Sequence, residues 1–219
     1  MASGNTYCLV TNSDERLFPK NKSIIFLGNW CLDYHKLKIW QKLDYIVARP
    51  YILSQSDKDD IFYKARKLEN KLFPELCSKL NQIHSLNNNN RFWKILLGHW
   101  FRFFIDLITN RVNSIYHCLE KYDIGEVSVF NHSNYSLTTK DFFSAQWACN
   151  DDEWNSNLYS YIFEIINFKD IKLKKINNNL SKGSFEIIES KKNNLNATKT
   201  ILQKLKELTC NIYKSTDGF

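Results

Sequence analysis

The chain has 219 residues, 43% hydrophobic and 15% aromatic, enough for one sizeable domain or one domain and a tail. No run reaches 18 unbroken apolar residues, which excludes a membrane-spanning helix, and the six Cys follow no zinc-binding spacing. The net charge of +7 is uneven: 19 Lys and Arg meet 18 acids in residues 1–166, whereas 11 Lys meet five acids in 167–219.

The basic excess is therefore all Lys and lies in the C-terminal quarter. Arg suits bidentate phosphate recognition, while Lys is a hydrated point charge. The pattern reads as a solvated helix, or as attraction to an anionic membrane face, and not as a nucleic-acid interface. The first five residues have no basic start and no apolar run, so no secretory signal is read. Reduced, mostly buried thiols in a cytoplasmic protein follow from that. With only 6 Gly and 3 Pro, long helices are expected.

In chain order, residues 7–11 read as a short strand and 12–21 as a polar loop. Residues 23–27 are an apolar run suited to a strand buried on both faces. It stops at Gly28, expected to turn with positive φ. Asn29, Trp30, Cys31, Asp33, Tyr34 and His35 follow at once. Ligands of open α/β sheets bind beyond the carboxyl ends of strands, so this loop is a candidate site. The plain alternative is a turn glycine and a packing Trp.

Residues 35–43 read as a helix facing the sheet, and 45–47 as a third apolar run. Residues 57–84 carry Ile61, Ala65, Leu68, Leu72, Leu76, Leu80 and Ile83 in one helical stripe, with a kink or break expected at Pro74. The run Asn87 to Asn90 is a loop. Residues 91–122 form a second long helix or a broken pair, with the stripe Trp93, Leu97, Trp100, Phe104, Ile108, Ile115, Leu119 and Tyr122. Gly98 is its weak point, where another backbone would approach and His99 would enter a cleft.

Residues 126–130 are a further strand, followed by the polar loop holding His132. Thr139 is expected to cap a helix through Trp147. Asp151, Asp152 and Glu153 open a helix to Ile166. They either complement its dipole or present one carboxylate as a general base, because neighbours on one turn diverge. No second acidic cluster supports a metal, and no cofactor motif is present. Residues 172–176 read as a strand, 177–194 as a linker and 197–213 as an amphipathic helix.

Several blocks, taken in order, resemble a family of transferases encoded in bacterial O-antigen and surface-polysaccharide loci. They are Leu9-Val10-Thr11, the block from Phe26 to Cys31, Trp40-x-x-Leu43-Asp44, Leu80-Asn81-x-Ile83-His84, the block from Arg91 to Trp100, and Asp151 to Asn155. The resemblance covers residues 6–166 and looks like the family's N-terminal half. It implies an α/β fold with a Rossmann-like parallel sheet flanked by long helices, similar to one half of a two-domain (GT-B-like) glycosyltransferase. Residues 167–219 would then be a Lys-rich linker and helix toward a second half.

The function implied is sugar transfer in surface-polysaccharide biosynthesis. The partners implied are a sugar nucleotide, a glycan acceptor, and a second-half domain or a further copy of the chain. Peripheral contact with the inner membrane face is also expected. Candidate bases are Asp152, Glu153 and His99; candidate substrate contacts are Gly28, Asn29, Trp30, Arg91, Trp100 and His132. The family block more often has Glu at Asn29 and Pro at His99, and an Asn takes no proton as a base. A truncated or split enzyme, inactive alone, is expected; the alternative is a non-catalytic binding or scaffold domain.

Overall fold

The computed structural model describes residues 6–52, 54–131, 135–166, 168 and 171–177. The expected linker and amphipathic helix after residue 177 lie outside them, as does His132. The chain divides into two units: Met1–Arg49 with Ile115–Phe219, and Pro50–Ser114.

The first unit is built on five strands: β1 (Tyr7–Val10), β2 (Ile24–Phe26), β3 (Tyr45–Val47), β4 (Ile124–Phe130) and β5 (Lys172–Ile176). Their order is β3-β2-β1-β4-β5, and every pair is parallel. Val10 lies opposite Phe26 and Ser128, Phe26 opposite Val47, and Phe130 opposite Ile176. Cys8 to Val10 and Ile24 to Phe26 are fully buried, which is why these strands are unbroken apolar runs with no polar alternation. β5 instead carries Lys172, Lys174 and Lys175 at the edge of the described sheet. Lys on an edge strand discourages further pairing, so part of the C-terminal Lys excess has a structural place.

Val10, Leu17, Ile24, Phe26, Cys31 and Phe130 form one core cluster. Phe26 meets Phe18 and Tyr45 edge-on, each at 5.4 Å between ring centroids. The helix expected over 35–43 is only one turn, α1 (Leu37–Trp40), after a 3-10 turn at Tyr34–Lys36. Trp40 fixes it by burying its ring against Tyr45 and donating Nε1–H to the Asp33 carbonyl at 2.8 Å. The next helix, α4 (Phe142–Ala148), is capped by Asp141, whose Oδ1 accepts Ser144 N–H at 2.8 Å; Thr139 is not the cap. Helix α5 (Asp152–Ile166) is buried along most of its length.

The second unit contains α2 (Gln55–His84) and the part of α3 (Asn90–Lys121) up to Ser114. A capping box starts α2: Ser54 Oγ accepts Asp57 N–H at 3.1 Å, and Asp57 Oδ2 accepts Ser54 N–H at 2.7 Å. α2 continues through Pro74, and α3 continues through Gly98. Neither helix breaks where the sequence pattern suggested. The two helices pack through Phe73 and Phe101, with ring centroids 5.5 Å apart, and through Asn81 and Trp93. The buried side of α3 runs through Trp93, Phe101, Ile105, Ile108 and Val112. The expected stripe is thus rotated by about one residue, because Trp100 and Phe104 are only half-buried and stack on each other. Among the described residues no helix is long and apolar enough to cross a membrane.

Candidate functional site

The strand order sets the place. From β1 the chain steps outward to β2 and β3, then returns to lay β4 and β5 on the other side of β1. The crevice beyond the carboxyl ends of β1 and β4 is therefore a topological switch point, the usual ligand position in such sheets. β1 runs directly into Thr11, Asn12 and Ser13, all buried.

These residues tie the strand end to α5. Asn12 Nδ2 donates to the Asp152 carbonyl at 2.7 Å, and Ser13 Oγ makes a longer contact to Asp152 Oδ2 at 3.4 Å. Asn12 Oδ1 accepts Asp14 N–H at 2.8 Å, which turns the chain sharply. Asp14 then holds Arg16 through two bonds, from Nε at 2.9 Å and Nη2 at 2.7 Å. The Arg16 guanidinium lies 4.8 Å from the centre of the Phe130 ring, at the end of β4. Burial works against the Asp14 charge, but the bonds and charge of Arg16 outweigh it and lower its pKa.

The loop after β2 joins the same edge. Trp30 Nε1–H donates to the Thr11 carbonyl at 3.2 Å. Gly28 has φ −175°, extended backbone open to any residue, so it does not supply the expected positive-φ turn. It supplies room: a Cβ there would meet the Trp30 ring at 2.1 Å. Asn29 is exposed in the 3-10 turn that follows. Cys31 is buried, and desolvation, with a smaller push from the Asp152 charge, raises its pKa to about 12. It is an inert thiol.

The three acids at the start of α5 have separate tasks. Asp151 is the cap: its Oδ1 accepts Trp154 N–H at 2.8 Å. Asp152 turns to the β1 loop through the contacts above. Glu153 has Arg16 and Tyr135 within electrostatic reach. A helix N-terminus ordinarily favours ionised carboxylates. Here desolvation wins. Burial is the largest cause of the raised pKa of Asp152, with Asp151 and Asp33 adding to it and Ser13 and Lys36 opposing it. Burial also leads for Glu153, with Asp151 adding and Arg16 opposing. Tyr135 is raised by burial first, then by Glu153 and Asp151.

Six buried side-chain polar atoms among the described residues have no hydrogen-bond partner, and four of them fall here. They are Thr11 Oγ1, Glu153 Oε1, Ser156 Oγ and Asn157 Oδ1. Glu153, Ser156 and Asn157 share one face of α5 at the i, i+3, i+4 spacing. Leaving such a group unpaired costs about 1–3 kcal/mol, so the concentration of four asks for a reason that packing does not give.

Of the residues singled out in the sequence, Gly28, Trp30, Asp152 and Glu153 thus belong to one unit and connect through Thr11, Asn12 and Ser13. Arg91, His99 and Trp100 lie on α3 in the second unit, the first two exposed. A Cβ at Gly98 would meet only the Lys94 side chain among the described residues, so no other backbone approaches there. The sequence reading missed Thr11, Asn12, Ser13, Arg16, Tyr135, Ser156 and Asn157. The signal for the first three was the one used for Gly28: a polar run at the end of an apolar strand. Ser156 and Asn157 carried no such signal, because α5 is also polar at Asp152, Glu153, Asn155 and Ser160.

Among the described residues no group of three or more His, Cys, Asp or Glu is placed to hold a metal ion. Cys8, Cys31, Cys77 and Cys118 are buried free thiols. No curated protein and no solved structure matches the chain. A family model described as LIC12162 family transferase matches residues 7–217. With nearly the whole length matched, the chain belongs to the LIC12162 transferase family.

Proposed function

We propose that the chain is a glycosyltransferase-type enzyme of surface-polysaccharide assembly, working at the cytoplasmic face, with Glu153 as the base at the acceptor. The observation that carries this is the buried, unpartnered Glu153 Oε1 on the face of α5 that also carries the unpartnered Ser156 Oγ and Asn157 Oδ1. A carboxylate whose pKa is raised by burial is a better proton acceptor than one paired in solution. Neutral hydroxyl and amide groups beside it match a sugar acceptor better than an anion.

In this reading an acceptor hydroxyl oxygen attacks the anomeric carbon of the donor. The bond from that carbon to the leaving phosphate oxygen breaks, and the nucleotide leaves with the electron pair. The acceptor proton passes to Glu153. Thr11, Ser156 and Asn157 hold neighbouring hydroxyls, Asp152 fixes the start of α5 against β1, and Arg16 offsets the charge of the ionised base.

The end of β1 offers no diphosphate cradle of the usual kind. Thr11 to Glu15 contains no Gly, and a 3-10 turn follows where an α-helix N-terminus would be. The reading therefore places the donor diphosphate on a second Rossmann-type half, outside the described residues. The same observation favours a second reading, a binding domain that holds the acceptor without turnover.

The test is a transfer assay over a panel of sugar nucleotides, using this chain alone and with any adjacent second half, alongside acceptor-binding measurements. Glu153→Gln is expected to lower turnover by about 10²–10⁴-fold. Unchanged turnover in Glu153→Gln would remove the base from this site. Acceptor binding without transfer under every combination would establish the second reading.

A further inference from the structure

We propose that the tip of the helical hairpin in the second unit docks on an anionic lipid surface. This goes beyond sugar transfer and uses none of the residues at the carboxyl edge of the sheet.

The tip is the end of α2, the Asn-rich connection and the start of α3. From residue 76 to residue 105 the sequence has no Asp or Glu, and it carries Lys79, Arg91 and Lys94, besides Arg102, whose guanidinium pairs with Glu69. Within it Ile83, Leu86, Phe92, Ile95 and Leu96 are exposed, Ile95 at 77% and Leu96 at 58%. Large apolar side chains clustered this way are a marker of an interaction surface.

Local hydrogen bonding holds them outward. Asn81 Nδ2 donates to the Asn88 carbonyl at 2.8 Å, and Asn81 Oδ1 accepts from Asn88 N–H at 3.1 Å and from Trp93 Nε1–H at 2.9 Å. Asn89 Oδ1 accepts Phe92 N–H at 2.9 Å and caps α3. Ser85, at φ 54°, closes α2 with Leu86 N–H on the Asn81 carbonyl at 2.9 Å. With Trp93 fixed inward and buried, helix periodicity sets the rest. Phe92, Ile95 and Leu96 fall within an arc of about 100° on the other side of α3; Arg91 lies on its flank, and Lys94, also exposed, lies about 100° round the helix from Ile95. So the start of α3 has two apolar faces, one inside the hairpin and one in solvent.

Charge complementarity identifies the occupant. Cations beside exposed apolar side chains, with no acid among them, are the pattern of an interfacial segment on anionic lipid. A second copy of the chain would set Lys79, Arg91 and Lys94 against their own equivalents, which like-charge repulsion opposes.

Vesicle flotation of the full chain tests this, with phosphatidylcholine vesicles compared with ones containing roughly a third phosphatidylglycerol. Binding is expected to the anionic vesicles only and should weaken as salt rises. Ile95→Gln with Leu96→Gln, and separately Lys79→Glu with Lys94→Glu, should each lower partitioning by about tenfold or more. All four positions are exposed and Gln and Glu keep helix propensity, so circular dichroism should not change. The lysines after residue 167 are the same in every variant, so the difference reports the tip. Two double variants that partition like the parent would overturn the proposal. So would equal binding to neutral vesicles, or a dimer in solution that Ile95→Gln with Leu96→Gln dissolves without affecting vesicle binding.

Discussion

Glu69 on α2 and Glu153 on α5 are both helical carboxylates with an oxygen withdrawn from water, Glu69 buried as a whole and Glu153 in part, and they differ in what meets them. Glu69 is buried and fully met. Arg66 pairs with it one helical turn away, and Arg102 reaches it from α3 through Nε and Nη2 at 3.2–3.3 Å. Arg66 pairs with Asp106 as well, so charges of both signs alternate within the network. Glu153 keeps one buried oxygen with no partner, among three more such atoms. Withdrawal of a charge from water is therefore no mark of a site by itself. Both oxygens of the Glu69 carboxylate are met, and its network, in which only Arg66 Nε is left without a partner, specifies how two helices meet, while the open Glu153 oxygen leaves capacity for a ligand.

Removing each carboxylate tests the contrast. Glu69→Ala strips the shared partner from two guanidiniums, Arg66 being mostly buried. The expected loss is about 2 kcal/mol of folding stability, read by urea denaturation: the mostly buried Arg66 loses one of two acidic partners, while Arg102 is about half exposed and partly screened. A loss under about 1 kcal/mol would put Glu69 among ordinary surface pairs and end the comparison.

The second effect is smaller and concerns the site's wall. Gly28→Ala has no backbone reason to fail, because φ there is extended. It must displace the Trp30 ring and cost its bond to the Thr11 carbonyl, about 1 kcal/mol. Trp30 is about half exposed and has somewhere to go. A red shift in tryptophan fluorescence with retained fold is the expected reading, and an unshifted spectrum would show that the ring does not rest on Gly28.

The fold was largely legible in the sequence because burial on both faces writes itself as unbroken apolar runs, as in 23–27. The strands, the parallel sheet and the two long helices follow from that pattern and from helical periodicity. Positions where two local rules compete were less legible. Pro74 and Gly98 disfavour helix locally, yet long helices with packed faces carry through them. At α4 two capping residues, Thr139 and Asp141, stood two apart, and only the coordinates show which one accepts Ser144 N–H. Half of the candidate site was visible, at Gly28 and at the Asp151–Glu153 turn. The other half was hidden because Thr11 to Ser13 read as the start of a loop, and nothing in one dimension shows Asn12 reaching α5, 140 residues on.

Thr11→Val sharpens the contrast from the other side. It replaces a buried hydroxyl that has no partner by an apolar group of nearly the same shape. Where a hydroxyl serves packing, this change costs stability; where it waits for a ligand, the change is neutral or stabilising by up to about 1 kcal/mol. A higher thermal midpoint with weaker acceptor binding is expected. A lower midpoint would show that Thr11 is satisfied in solution and belongs to the core.

The smallest effect is the pH dependence carried by Glu153. Its pKa in the folded protein is raised above the usual 4.5, by burial first and the Asp151 charge second, against the pull of Arg16. An acid raised on folding binds its proton more readily in the native state than in the unfolded one. Between 4.5 and its raised value, stability therefore falls as pH rises, and the full penalty stands above that window. Glu153→Gln cannot ionise and escapes the penalty. The variant should match the parent below pH 4.5 and gain on it through the window, then hold a constant lead at neutral pH. The side chain is only partly buried and solvent screens it, so the lead should stay under about 1 kcal/mol. Asp152 titrates in the same direction in both proteins, and the difference between them isolates Glu153. Urea denaturation of both proteins at several pH values between 4 and 8 reads it (roughly the window in which such groups titrate). A variant less stable than the parent at neutral pH would mean that the Glu153 charge is held by a stabilising partner. Glu153 would then stand with Glu69 as a structural carboxylate, and the base at the acceptor would have to be sought elsewhere.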